Sequence, residues 1–188
     1  MTELPRTVEA TRAAVERGAR LKYLFFWGHR PSHDGLGPGC LSQWWPSPFT
    51  VDGVSYPTTE HWMMARKAQL FDDHEAVDRV LAAPHPQEAK TVGRTVRGFD
   101  EEVWRAHRYA VVVEGSVAKF SQHDDLRWYL LGTAGRVLVE ASPIDRIWGI
   151  GLAADDARAR RPHEWLGLNL LGFALMDARD RVAAALAP

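Results

Sequence analysis

The spacing of hydrophobic and polar positions changes along the chain, and the changes mark its elements. Residues 7–18 have a helix-forming composition that stops at Gly18. Tyr23 to Gly28 is a short aromatic run suited to a buried strand. His29 to Pro48 is interrupted by prolines and glycines and predicts a long irregular loop. Phe49 to Tyr56 alternates around Asp52-Gly53, the dipeptide of a type I′ hairpin turn. Thr58 and Thr59 then offer an N-cap, with Glu60 in the first turn of a helix expected to reach about Phe71. Helices follow over 74–83, 86–94, 100–120 and 124–131, separated by Pro84 and Pro86, Gly98 and His123. Val137 to Glu140 predicts a strand, and Ser142 to Asp156 a loop. The last helix is expected from near Pro162 to near Leu186, with Leu168, Leu171, Leu175 and Ala178 on its core face. The order of elements predicts an α+β fold: a mostly helical single domain with a small β-sheet. Residues 1–20 read as an N-terminal helical extension and 21–188 as the domain.

Composition narrows the class. A chain of 188 residues with 46% hydrophobic and 25% charged positions has the proportions of one soluble globular domain. Lys and Arg total 23 against 24 Asp and Glu, a net charge of −1. That argues against holding nucleic acid by general electrostatic attraction and leaves a local basic site open. The single cysteine, Cys40, excludes an intrachain disulfide and a Cys-rich zinc site. Nothing approaches ~18 consecutive apolar residues, so no membrane span is expected. The first twenty residues mix Glu3, Glu9 and Glu16 with arginines and lack an apolar core, so they do not read as a signal peptide. A cytoplasmic location is the expectation.

Candidate chemistry is sparse. There is no glycine fingerprint for dinucleotides, no Walker loop, no His-Glu-x-x-His and no Gly-x-Ser-x-Gly elbow. The histidines are scattered, and neither a metal nor a cofactor is expected. Glu60 and Lys67 lie seven residues apart, on one helix face. From spacing alone Glu60 reads more readily as a plain complement to the helix dipole than as a catalytic carboxylate facing a cleft. Asp145 shares a short loop with Trp148, Gly149 and Gly151, which suits either a ligand approached by backbone and stacked on an indole or a tight turn around a buried Trp. Asn169, beside an apolar helix face, reads as a loop cap or a substrate contact. Lys90, Arg94, Arg97, Arg105 and Arg108, and again Arg158, Arg160 and Arg161, form basic runs that read chiefly as solvated faces. One or two of them suit a phosphate.

Taken in order, these segments resemble the NADAR/YbiA-like family. The resemblance rests on Phe25-Phe26-Trp27, on Pro48-Phe49 through Asp52-Gly53, and on Tyr56 to Trp62 with Lys67. It continues through Trp104 and Ala118-Lys119-Phe120 to Asp145…Trp148-Gly149-x-Gly151 and Asn169 to Arg179. It implies a mostly helical N-glycoside hydrolase that cleaves a ribose C1′–N bond. The substrates implied are phosphoribosylamino-pyrimidine intermediates of riboflavin synthesis or ADP-ribosyl-guanine adducts in nucleic acid. It further implies Glu60 and Asp145 as the catalytic carboxylates. Lys67, Trp104, Trp148, Gly149, Gly151 and Asn169 would then bind substrate. Two positions depart from the pattern: Ile150 stands where many members carry Asp, and Leu41-Ser42-Gln43-Trp44 replaces Phe-Ser-Asn-Phe. The first keeps a non-catalytic module binding ADP-ribose or a related nucleotide in play; a structural protein with a Trp-rich core is a third reading. Of the eight tryptophans, Trp27, Trp128 and Trp165 are expected in the core. Trp44 and Trp45 mark the place to look for altered substrate preference.

Overall fold

The computed structural model describes residues 4–33 and 35–187. Residues 1–3, 34 and 188, parts of the expected extension, long loop and domain end, lie outside the described residues. The elements in chain order are α1 (Val8–Glu16), β1 (Lys22–Phe26), a 3-10 turn (Pro38–Leu41), β2 (Phe49–Val51), β3 (Val54–Tyr56), α2 (Thr59–Leu70), α3 (His74–Ala82) and α4 (Pro86–Gly93). Then come α5 (Glu101–Gln122), α6 (Asp124–Leu131), β4 (Arg136–Glu140), 3-10 turns at Ala157–Arg160 and Pro162–Glu164, and α7 (Leu170–Ala185). This is the mostly helical α+β architecture the sequence predicts. Two compact units share the elements: Gln43–Asp124, and Met1–Ser42 together with Asp125–Pro188.

In Gln43–Asp124, β2 and β3 form the predicted hairpin, with Phe49 opposite Tyr56. Asp52 and Gly53 both take positive φ, 50° and 78°, as a type I′ turn demands. Phe49 and Tyr56 stack at 5.7 Å, and Tyr56 meets the Trp62 ring edge-on at 5.1 Å. That places α2 directly behind the hairpin. Trp62 is buried, and its indole donates to the Val111 carbonyl at 2.7 Å, tying α2 to α5. Helices α3 and α4 pack on the same α2. Asp73 caps α3 through Ala76 and accepts from the Arg97 backbone and guanidinium, at 2.8 and 2.6 Å. These bonds hold its carboxyl at about 2.

In the other unit, β1 and β4 pair in parallel, from Lys22 beside Arg136 to Phe26 beside Glu140. Val137, Leu138 and Val139 are fully buried, whereas in β1 only Phe26 is. Continuous burial on both faces is what a parallel pair covered by a helix requires. That helix is α7, which lies on β4. Gly172 permits the approach, because a Cβ there would overlap the Leu138 carbonyl oxygen.

Three expectations fail here. Trp27 and Trp128 are not core residues; they are 58% and 64% exposed. Only Trp165 is buried as expected, its indole donating to the Ala159 carbonyl at 2.8 Å. The last helix begins at Leu170, not near Pro162, since Asn169 at φ 53° is left-handed and breaks the helical path. Leu168 therefore precedes the helix and is exposed, while Leu171, Leu175 and Ala178 keep the core face.

Candidate active site

The first turn of α2 is built by threonines. Thr58 is the N-cap, its hydroxyl accepting from the His61 N–H. The same hydroxyl lies 2.8 Å from Nδ1 of His61, whose Nε2 is 3.0 Å from the Ala83 carbonyl. A carbonyl only accepts, so Nε2 carries the proton and Nδ1 accepts from Thr58. His61 is fully buried, and desolvation lowers its pKa, which favours this neutral ring. His61 is thus a pin between the N-terminus of α2 and the C-terminus of α3.

Glu60 is the residue this turn presents. It is 3% exposed. Its backbone N–H donates to the Gln43 carbonyl at 3.0 Å, and the Thr59 hydroxyl donates to the same oxygen at 3.1 Å. The next residue, Trp44, donates its indole N–H to Oε2 of Glu60 at 3.1 Å. Lys90 of α4 places its ammonium 5.8 Å from the Trp44 ring. The unpaired amides of the first helical turn favour a negative side chain at this position. A carboxylate held in so little water requires such partners, since an uncompensated buried charge is expensive.

Lys67, two turns on, is half-buried. Its ammonium donates to the Gly93 carbonyl at the end of α4, 2.8 Å away. It also lies 3.9 Å from the Phe99 ring and 5.8 Å from the buried Trp104. Burial lowers the Lys67 pKa, and the charge of Glu101 opposes this. Lys67 and Trp104 therefore meet each other, in a cation–π cluster that also caps α4.

In the other unit, Asp145 closes its own loop. Its Oδ1 accepts from the N–H groups of Ile147 and Trp148, both at 2.8 Å. Its N–H donates to the Ser142 hydroxyl, and its carbonyl accepts from Gly151. The Gly149 carbonyl accepts from Asn169, and that of Trp148 from Leu171. Gly149 is packed so closely that a Cβ would meet the Glu140 carbonyl, and Gly151 takes φ 70°. Trp148 is half-buried. Ile150 is fully buried, with both backbone groups bonded to Glu140 and Leu166, so in this chain the position belongs to the core. Asn169 is also fully buried. Its amide oxygen accepts from the Glu140 N–H and its amide nitrogen donates to the Leu138 carbonyl, both at 2.9 Å.

The candidates thus gather in two sets. Glu60 stands with Trp44, and Lys67 with Trp104, in Gln43–Asp124. Asp145, Trp148, Gly149, Gly151 and Asn169 form one hydrogen-bonded loop in the other unit. Sequence reasoning marked Trp44 as unusual but not as the partner of Glu60. The only available signal was an indole on the segment that precedes the hairpin, with no spacing to say whom it meets. Among the described residues no group of three or more His, Cys, Asp and Glu is placed to hold a metal ion. No helix among them is long and apolar enough to cross a membrane.

Comparison with known proteins follows the same segments. Residues 25–183 match the NADAR domain. N-glycosidase R617 of Acanthamoeba polyphaga mimivirus is 40% identical over 164 residues, covering 85% of this chain and 95% of that protein. The chloroplastic riboflavin biosynthesis protein PYRR of Zea mays is 38% identical over 138 residues, 70% of this chain but 20% of that longer protein. The NMR structure of E. coli YbiA superposes with a TM-score of 0.71 at 28% identity, covering 89% of this chain and 88% of YbiA.

Proposed function

The chain belongs to the NADAR domain family, and from that premise we propose that Glu60 carries the reaction and that the substrate is a phosphoribosylamino-pyrimidine. The enzyme is a hydrolase of N-glycosyl bonds, the activity for which R617 is named. That sets aside the readings as a pure binding module or a structural protein.

Cleavage of a ribose C1′–N bond passes through a cation-like sugar. The bonding pair leaves with the nitrogen, which takes up a proton. Water supplies oxygen to C1′ and gives up a proton. Glu60 suits both needs of the sugar: its negative charge stabilises the cationic C1′, and it accepts the proton of the attacking water. The single observation behind this assignment is the buried carboxylate at the N-terminus of α2, oriented by the indole of Trp44. Asp145 has a defined task in its own loop, that of holding the Trp148 backbone. Its part in the reaction is tested by Asp145→Asn, which leaves the acceptor oxygen Oδ1 in place and removes the charge.

Two observations favour the small substrate. The likeness to a riboflavin biosynthesis protein covers 70% of the chain. Several arginines of the basic runs are paired nearby: Arg97 with Asp73 and Glu75, Arg105 with Glu102, Arg158 with Asp156, and Arg161 with Glu164. They offer a polyanion little free charge. The test incubates the protein with a phosphoribosylamino-pyrimidine and, separately, with an ADP-ribosyl-guanine oligonucleotide. Release of ribose 5-phosphate from the first is expected; faster release of ADP-ribose from the second would reverse the choice. Glu60→Gln is expected to fold normally and lose at least about a hundredfold in kcat, the usual scale for removing a general base. Wild-type turnover by that variant would end the assignment.

A further inference from the structure

Trp44 and the turn that carries it are tied to the first turn of α2 more firmly than a loop needs. The Gln43 carbonyl accepts from both Glu60 and Thr59, at 3.0 and 3.1 Å. The Gln43 amide reaches the Met63 sulfur at 3.8 Å, and the Ser47 N–H donates to the Pro57 carbonyl at 3.3 Å. Trp44 is therefore held at both sides by backbone contacts to the hairpin and α2. Its one hydrogen-bonding group, the indole N–H, is directed at Oε2 of Glu60. The ring is half-buried, with Lys90 at its face. A core tryptophan whose N–H only needs a partner is served by a carbonyl, as Trp62 and Trp165 are in this chain.

The geometry points to Trp44 as a positioning residue for the reaction: its indole N–H, bonded to Oε2, fixes the rotamer of the Glu60 carboxylate. The inference rests on Glu60 as the catalytic carboxylate. A donor to an ionised carboxylate is among the stronger hydrogen bonds, and it removes rotational freedom that a buried acid would otherwise have to lose in the transition state. Phenylalanine, which the usual Phe-Ser-Asn-Phe segment of the family carries here, would fill the space without offering this donor, so the device is particular to this chain.

The test removes the donor while keeping the shape. Trp44 is replaced by benzothienylalanine, a bicyclic isostere without the N–H, and in parallel by Trp44→Phe. The kinetic readout is hydrolysis of the two substrates named above. The expected result is a kcat lower by about ten- to a hundredfold, the worth of one charge-assisted hydrogen bond, with KM within about twofold and a native circular dichroism spectrum. An independent readout needs no substrate. The indole N–H resonance of Trp44, assigned by its loss in Trp44→Phe, should move upfield and exchange faster with water in Glu60→Gln. If that resonance is the same in Glu60→Gln and wild type, or if the isostere keeps wild-type kcat or changes KM alone, Trp44 does not position Glu60. Full activity of Glu60→Gln, or no turnover of either substrate by wild type, overturns the functional reading itself and this inference with it.

Discussion

Asn169 takes φ 53° and turns both ends of its amide onto β4. It does there, with one side chain, what an adjacent strand would do with its backbone. Asn169→Ala loses two buried hydrogen bonds and keeps a left-handed backbone that alanine resists, so urea unfolding should show a loss of about 2–4 kcal/mol. Asn169→Gly relieves the backbone alone and should fall between the two. Equal stability of Ala and Gly variants would mean that the backbone conformation contributes nothing. The place of Glu60 in the first turn of α2 was legible in the sequence because everything that sets it is local: a hairpin, a threonine cap and a helix start. Its partner Trp44 was not, because an indole sixteen residues away in a proline-broken loop has no periodicity to follow. Trp27 and Trp128 mislead for the converse reason. Tryptophan is buried on average but need not be in any one place, and exposure is a property of neighbours.

At the scale of elements, the helices of Gln43–Asp124 were legible nearly to the residue. Their starts are written beside them: Asp73 caps α3, Pro86 opens α4, and Asp100 caps α5 through the Val103 N–H. The last helix begins later than the apolar spacing predicts, because that spacing continues smoothly through Leu168 and only the left-handed Asn169 breaks it. Inside α7, Gly172 carries a prediction. Glycine to alanine inside a helix ordinarily gains about 1 kcal/mol. Here the added methyl meets the Leu138 backbone oxygen and the Asn169 amide, so Gly172→Ala should instead lose about 1–3 kcal/mol in chemical denaturation. A stabilised variant would show that α7 can lift from β4 freely.

At the scale of the whole molecule, stability should follow pH in two steps. His61 is neutral when folded, and its folded pKa lies below the 6.5 of the open chain. The unfolded state therefore binds the proton more readily, and stability present above about pH 6.5 declines as pH falls below it. Asp73 runs the same way lower down: its folded value of about 2 lies below 3.8, so its contribution is complete above about pH 4 and disappears towards pH 2. Melting temperature measured from pH 8 to pH 4.5 should hold and then drop, and His61→Gln should flatten the first decline. An unchanged slope in that variant would assign the acid loss to another group. The sequence by itself determined the elements, the α+β class and the family, because caps, turns and apolar spacing act within a few residues. Only the tertiary structure decided that Trp44 meets Glu60, that Lys67 faces Gly93 and Trp104, and that Asn169 belongs to β4. Those pairings join residues 16 to 37 apart, and such distances are set by packing, which no local pattern records.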